Sequence, residues 1–318
     1  RPAGAGAPLP LALLFPGQGS QHVSMLKSAQ HLPEVQEMLA TAKRILGYDL
    51  LSLCLEGPEE KLEQTRYCQP ALFVAGLAGV AKLRAEHGDR ADRARCVAGL
   101  SLGEYTALCA AGSLAFDDGL RLVQLRGEAM QEAAAASPQK MLSVVGLERR
   151  ALDKLCGEAA ASEPGGVCLV ANELFENGCS CGGTEAAVLR LKELAEAAGA
   201  TKATLLKTGG AFHTPLMAPA QERLRAALEE AMPRMRPPRL AVYMNVTGEP
   251  LAPGAEPRAI CELLAKQLVS PVLWSRLVAR MISDGVTEFF ECGPQKQLKA
   301  MMRRIDKQAW GKTTCTEV

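Results

Sequence analysis

Ser101 stands in Gly99-Leu100-Ser101-Leu102-Gly103, after the apolar run Cys96-Val97-Ala98 and before a helix-like stretch over residues 104–111. A serine between glycines at a strand-to-helix junction is pushed out of a tight turn, because only small neighbours let the strand and helix close on each other. At a helix N-terminus its hydroxyl also meets free N–H groups and the positive end of the helix dipole. Both favour negative charge on a substrate oxygen. With 29 glycines in the chain, G-x-S-x-G also arises by chance, and the flanking strand and helix are what raise it above coincidence.

A serine nucleophile needs a base, and the chain has four histidines: His22, His31, His87 and His213. His31 and His87 lie at polar helix ends, where a solvated role fits. His22 follows the first glycine turn. His213 is the strongest candidate base, in the loop Gly209-Gly210-Ala211-Phe212-His213 ahead of a helix. Arg126 borders an apolar helical stripe, with Leu122 four and Val123 three residues before it, so no acid stands at those positions to pair with it. Its partner is therefore distant in sequence or is a ligand, and a substrate carboxylate would fit its fork bidentately. Gly17-Gln18-Gly19-Ser20-Gln21 lacks the Gly-Lys-Ser/Thr of a phosphate loop. Beside a serine nucleophile it could offer a second oxyanion donor, the Gln18 backbone amide.

The 318 residues suffice for a large core, and a net charge of +1 gives no global field toward nucleic acid or membrane. The 11 cysteines show no C-x-x-C spacing, and Cys179 and Cys181 are too close for a zinc knuckle, so most read as small buried residues in a reducing compartment. No apolar run approaches the roughly 20 residues of a membrane span. The acid-poor start, Arg1-Pro2-Ala3-Gly4-Ala5-Gly6, suits the tail of a transit peptide and equally a cloning boundary.

Strand Leu9–Phe15 is followed by helical patterns at Pro33–Leu46, 58–64 and 69–86, and then by the strand before Ser101. That alternation predicts an α/β fold with a parallel sheet, its ligand at the carboxyl ends of the strands. From Met141 the order becomes strand 141–145, helix 147–161, strands 167–172 and 179–182, helix 184–199 and strand 201–206, which is the ferredoxin-like pattern. We expect a large α/β-hydrolase-like domain with a nucleophile elbow over 9–138 and 208–318, and an inserted ferredoxin-like subdomain over 139–207. Later elements are a helix from Thr214-Pro215 to about Met232, a strand over 240–246, a mostly helical stretch over 262–284 and a last strand over 286–291.

Together these residues resemble the malonyl-CoA:acyl carrier protein transacylase family over nearly the whole chain, most of all its animal mitochondrial branch. The segments that carry the likeness are Phe15-Pro16-Gly17-Gln18-Gly19-Ser20-Gln21, Thr65-Arg66-Tyr67-Cys68-Gln69-Pro70-Ala71, Gly99 to Tyr105, and Leu125-Arg126-Gly127. Gly210-Ala211-Phe212-His213, Asn245-Val246-Thr247-Gly248 and Glu291-Cys292-Gly293-Pro294 complete it. The resemblance implies ping-pong transfer of malonyl from coenzyme A through Ser101 to a carrier phosphopantetheine thiol, supplying fatty acid synthesis. It makes His213 the base, Arg126 the ligand of the malonyl carboxylate, and the Gln18 and Leu102 amides the oxyanion hole. Gln69, Phe212 and Asn245 join the substrate-binding set, with Phe212 on the malonyl side of acyl selectivity. A main-chain carbonyl, matched to Leu273, would orient His213 in place of an acid. No metal or cofactor beyond the thioester is implied. Leu100, Leu273 and Gln295 depart from the usual His, Gln and Gly of the family.

The competing readings are a serine esterase or thioesterase, which would supply an acid between serine and histidine, and an idle scaffold that binds carrier protein or RNA. The implied setting is the mitochondrial matrix, with the chain acting as a monomer away from membrane and nucleic acid. The implied acidic carrier protein requires a local basic patch. Lys296, Lys299, Arg303, Arg304 and Lys307 supply one, on and beside the helix after Gly293-Pro294, with Lys296, Lys299 and Arg303 on a shared face.

Overall fold

A computed structural model describes residues 6–318, so the start of the chain, Arg1 to Ala5, lies outside the described residues. Strand β1 (Leu9–Phe15) is apolar from Leu11 onward because both its faces are covered. Leu11, Leu13 and Phe15 join one core, while Ala12 and Leu14 join a second on the other face. Helices α1 (Pro33–Leu46), α2 (Leu50–Glu56), α3 (Glu59–Leu62) and α4 (Thr65–His87) follow, and α4 crosses the first core. It starts earlier than its proline suggests, since Pro70 lies inside the helix and not at its first turn.

Strand β2 (Ala94–Gly99) runs parallel to β1 and feeds α5 (Gly103–Ala110) and then α6 (Phe116–Ala135). A second sheet follows: β3 (Gln139–Val145), α7 (Arg149–Ala160), β4 (Cys168–Phe175), β5 (Gly178–Thr184), α8 (Glu185–Ala197) and β6 (Lys202–Leu205). Its order, β4-β5-β3-β6, is antiparallel throughout, with α7 and α8 packed on one face over a core of their own. This is the expected ferredoxin-like unit. The chain then returns through α9 (Ala218–Ala231), β7 (Ala241–Tyr243), β8 (Pro250–Leu251), α10 (Pro257–Gln267), α11 (Trp274–Ser283), β9 (Glu288–Gly293), α12 (Gln297–Ile305), α13 (Lys307–Gly311) and β10 (Thr313–Glu317). The larger sheet reads β10-β9-β1-β2-β7-β8, parallel except for β8.

Two differences from the sequence expectation bear on the site. The stretch 262–284 is two helices, because Val272 leaves the helical path to exchange backbone hydrogen bonds with β4, accepting from Glu173 and donating to Ala171. Pro271, with no N–H to give a helix, precedes it. The second is β10, whose threonine-rich run adds an edge strand on β9 beyond the strand over 286–291 expected to be the last.

The glycines around Ser101 carry the closest backbone approach. A Cβ on Gly99 would lie 1.9 Å from the Gly103 carbonyl, one on Gly103 would lie 2.1 Å from the Phe15 oxygen, and one on Gly17 would lie 2.5 Å from the Leu100 oxygen. Gly103→Ala should therefore cost about 3 kcal/mol, the upper end for overpacking. Gly157→Ala, at an exposed position in the second half of α7 with nothing nearby, should instead stabilise by about 0.5–1 kcal/mol. Chemical denaturation of the two variants checks both signs.

Candidate active site

Between β2 and α5 the chain turns through Ser101, whose φ of 53° lies in the left-handed region. The turn carries its hydroxyl to the carboxyl end of the central strands. Ser101 Oγ is 2.8 Å from His213 Nε2 and 3.0 Å from Arg126 Nη2. Three residues widely separated in sequence thus meet at one oxygen.

His213 is buried and also has a positive φ, 63°, in the loop before α9. Strand β5 lies over that loop: a Cβ on Gly182 would be 3.3 Å from the Ala211 backbone. Gln139, at the start of β3, accepts from the Ala211 N–H at 3.0 Å and donates to the Ala133 carbonyl at the end of α6. The loop is therefore fixed from both subdomains. His213 Nδ1 lies 2.9 Å from the Gln267 carbonyl. A carbonyl only accepts, so Nδ1 carries the proton and Nε2 turns its lone pair toward Ser101. Burial and then the Arg126 charge push the imidazole down to about 4, against main-chain hydrogen bonds at Gln267 and Ser270, so the base is neutral at pH 7.

The expectation that Leu273 supplies the orienting carbonyl is corrected. Leu273 caps α11: its carbonyl accepts the Leu277 N–H at 3.0 Å and its own N–H goes to the Asn245 carbonyl at 2.9 Å. Gln267, the last residue of α10, does that work.

Arg126 is 1% exposed. Its Nη1 donates to Gln69 Oε1 at 2.8 Å, its Nη2 to Gln267 Oε1 at 2.9 Å, and its guanidinium carbon lies 5.4 Å from the Tyr105 ring centre. Among the described residues no carboxylate makes an ion pair with it. Its charge is held by amides and an aromatic face, and burial lowers its pKa. Gln69, expected in the substrate-binding set, is buried and acts by holding Arg126.

Asn245 was expected to face substrate, and its placement corrects that. It is fully buried, its Oδ1 accepts the Ser101 N–H at 2.7 Å, and its Nδ2 donates to the Gly99 carbonyl at 2.7 Å, so its amide is spent on the elbow. Gly17 packs on the Leu100 carbonyl and so brings Gln18 against the same turn. Among the described residues neither the Gln18 nor the Leu102 amide has a backbone partner, which leaves two donors from different segments beside Ser101. Phe212 is buried in the main core, its ring edge against Gly210. His22 spans from the Val23 carbonyl to that of Pro294 and stays away from Ser101, while His31 and His87 are exposed.

Two site residues were not singled out from the sequence. Gln267 continues the stripe Ile260 and Leu264 on α10, and a polar side chain at an apolar position was the available signal. Glu104 is fully buried directly after the elbow, accepting from the Asn245 N–H at 2.6 Å and from Gln267 Nε2 at 2.5 Å. Burial pushes its carboxyl up, while these hydrogen bonds and the Arg126 charge pull it down, and a donor on each oxygen leaves no acceptor for a carboxyl proton, so the pair of bonds holds it as a carboxylate.

A serine on an elbow with a neutral histidine and two unused amides beside it is the apparatus of acyl chemistry. The acyl transferase domain family matches residues 12–318. Within it, the chain belongs to the malonyl-CoA-acyl carrier protein transacylase family. It is 40% identical over 315 residues to the mitochondrial malonyl-CoA-acyl carrier protein transacylase of Homo sapiens, covering 96% of this chain and 80% of that one. It is 38% identical to the malonyl CoA-acyl carrier protein transacylase of Escherichia coli O157:H7, covering 92% of each. The solved transacylase of Coxiella burnetii superposes with a TM-score of 0.90 at 35% identity, over 98% of this chain and 95% of the other. A malonyl-transacylase solved in complex with a type II PKS acyl-carrier protein gives 0.87 at 34% identity, over 97% and 95%.

The low value for His213 has a kinetic signature. The base works when neutral, so Ser101 reactivity is present above the folded-state value and is lost as pH falls through about 4. Labelling of Ser101 by a fluorophosphonate should be flat from neutral pH down through 6.5, histidine's ordinary value, with its acid limb near 4. A limb at the ordinary value would show that His213 is solvated.

Proposed function

We propose that the protein moves malonyl from coenzyme A to the phosphopantetheine thiol of an acyl carrier protein through a malonyl ester on Ser101. The observation that carries this reading is Arg126 Nη2 at 3.0 Å from Ser101 Oγ, with no carboxylate among the described residues bonded to its fork. A buried cation beside the nucleophile is costly unless an anion meets it there. An acyl group on Oγ that ends in a carboxylate supplies that anion.

In the first half-reaction Ser101 Oγ attacks the thioester carbon and gives its proton to His213 Nε2. The Gln18 and Leu102 amides take the oxyanion. Collapse breaks the C–S bond, and the departing thiolate of coenzyme A takes the proton from His213. In the second half a carrier thiol yields its proton to His213 and attacks the ester carbon. Oγ then leaves and recovers the proton. Phe212, next to His213 in sequence, is the residue we expect to favour malonyl over branched acyl groups.

Intact-mass measurement after mixing with malonyl-CoA or acetyl-CoA tests the reading. Malonyl mass should appear on the wild-type chain and vanish in Ser101→Ala. Rapid free malonate without a stable adduct would mean a hydrolase. Arg126→Ala removes a charge-assisted pair of about 1.5–3 kcal/mol, so malonyl loading should fall roughly 10- to 150-fold. Acetyl loading should fall far less, and equal losses would make Arg126 structural.

The carrier would dock on α12. The side-chain nitrogen of Gln297 lies 3.2 Å from where a Gly19 Cβ would stand, so the start of this helix adjoins the Gln18 turn and the mouth of the site. Lys296 is paired with Glu317 at 2.9 Å, whereas Arg303 stacks on Trp310 and Arg304 on Phe175, both exposed and without a carboxylate in salt-bridge contact among the described residues; Lys307 is exposed on α13. Reversing Lys299 and Arg303 to Glu should raise KM for carrier protein and flatten its salt dependence, while the malonyl-CoA half-reaction stays normal. Unchanged carrier kinetics at low salt would move docking to another face. Residence in the mitochondrial matrix is supported by the relatives of Homo sapiens and Mus musculus, both named mitochondrial, and subcellular fractionation tests it.

A further inference from the structure

Outside the reacting groups, the buried acid of the site is Glu104, and its contacts form a closed frame. One carboxylate oxygen accepts the Asn245 N–H at 2.6 Å and the other accepts Gln267 Nε2 at 2.5 Å. Asn245 Oδ1 in turn accepts the Ser101 N–H at 2.7 Å, and Gln267 Nε2 also donates to the Ser101 carbonyl at 2.9 Å. The N–H and the C=O of a residue in left-handed backbone are thus each held by an amide side chain, and both of those residues are held by one carboxylate. Gln267 extends the frame, since its Oε1 takes Arg126 at 2.9 Å and its carbonyl takes His213 at 2.9 Å.

We propose that Glu104 is the positioning residue of this site, locking Asn245 and Gln267 on either side of Ser101 so that nucleophile, base and arginine keep one mutual geometry. It touches no reacting atom. A buried carboxylate is a poor choice for stability alone, since apolar replacement of buried charged groups is often neutral or better. Its value here is geometric: a carboxylate offers two acceptors at fixed separation, and both neighbours present donors. Glutamine in its place keeps one acceptor and turns a donor toward the other neighbour. Gln267 stands between Glu104 and Arg126, so the two charges attract without a hydrogen bond between them, and the guanidinium keeps no carboxylate in its fork.

This inference rests on the reading of Ser101 as the acylated nucleophile, and two readouts keep the questions apart. Fluorophosphonate labelling reports the Ser101–His213 pair without any malonyl chemistry, and rapid-quench acylation by malonyl-CoA gives a saturating rate and a half-saturating concentration. In folded Glu104→Gln, both the labelling rate and the saturating acylation rate should fall about 10- to 100-fold, the scale for misplacement near 1 Å. The half-saturating malonyl-CoA concentration should move by less than about threefold. Glu104→Asp, which keeps both oxygens on a shorter stem, should recover part of the loss. Labelling within about twofold of wild type, or a loss confined to half-saturation, overturns the proposal. Failure of both variants to fold overturns it as well, by assigning Glu104 to folding. A wild-type chain that labels but takes no malonyl sinks the transfer reading alone, and the Glu104 comparison then stands on labelling.

Discussion

The site depends on a crowding of backbone: β1, β2, the Gly17-Gln18 turn and the start of α5 pass so close that glycines stand at the contact points. Ser101 is left in a conformation that costs a non-glycine residue about 1–2 kcal/mol. That cost is small against what the crowding assembles. The same approach that extrudes the hydroxyl sets the Gly17-Gln18 turn against the Leu100 carbonyl, so the hydroxyl and the candidate oxyanion donors arise from one packing event. Loosening it would separate them together.

Electrostatics follow a second economy. His213 leans on a carbonyl and has no acid, which is unusual for a serine–histidine pair until Arg126 is considered. An acid in place of the Gln267 carbonyl would add a buried negative charge to a site whose cation is held by amides. With carbonyl and amide partners only, the base takes its tautomer from the backbone while the cation stays available. Arg126 in turn helps keep His213 neutral. Hydrogen bonds to a charged group are worth about 1.5–3 kcal/mol each, so Gln69 and Gln267 can hold the guanidinium in place without neutralising it.

Much of this was legible in the chain. Ser101, His213 and Arg126 could be named because each breaks a local pattern: a glycine-flanked hydroxyl, one plausible histidine among four, a cation on an apolar margin. The ferredoxin-like order was legible because alternation and helical periodicity switch cleanly there. What failed was backbone bookkeeping. Which carbonyl meets His213 depends on where α10 ends and α11 begins, and the strand-like pairing of Val272 with β4 is a long-range contact with no local signature. Asn245 was misplaced for a related reason: its amide serves Ser101 and Gly99, both more than 140 residues away in the chain. Glu104 and Gln267 went unremarked because buried polar side chains declare themselves only once their partners are in place.

The pairing of Val272 with β4 has a consequence for how this protein can be taken apart and recombined. By sequence order the antiparallel subdomain is a tidy cassette, entered after α6 and left before α9. In space its edge strand is stitched to residues more than 60 positions beyond its own end, in the very segment between the orienting Gln267 and the cap at Leu273. Grafting the cassette between relatives would therefore exchange only half of a seam. A chimera faithful to the physics would have crossover points around both 139–207 and 268–273, so that the two sides of the stitch travel together.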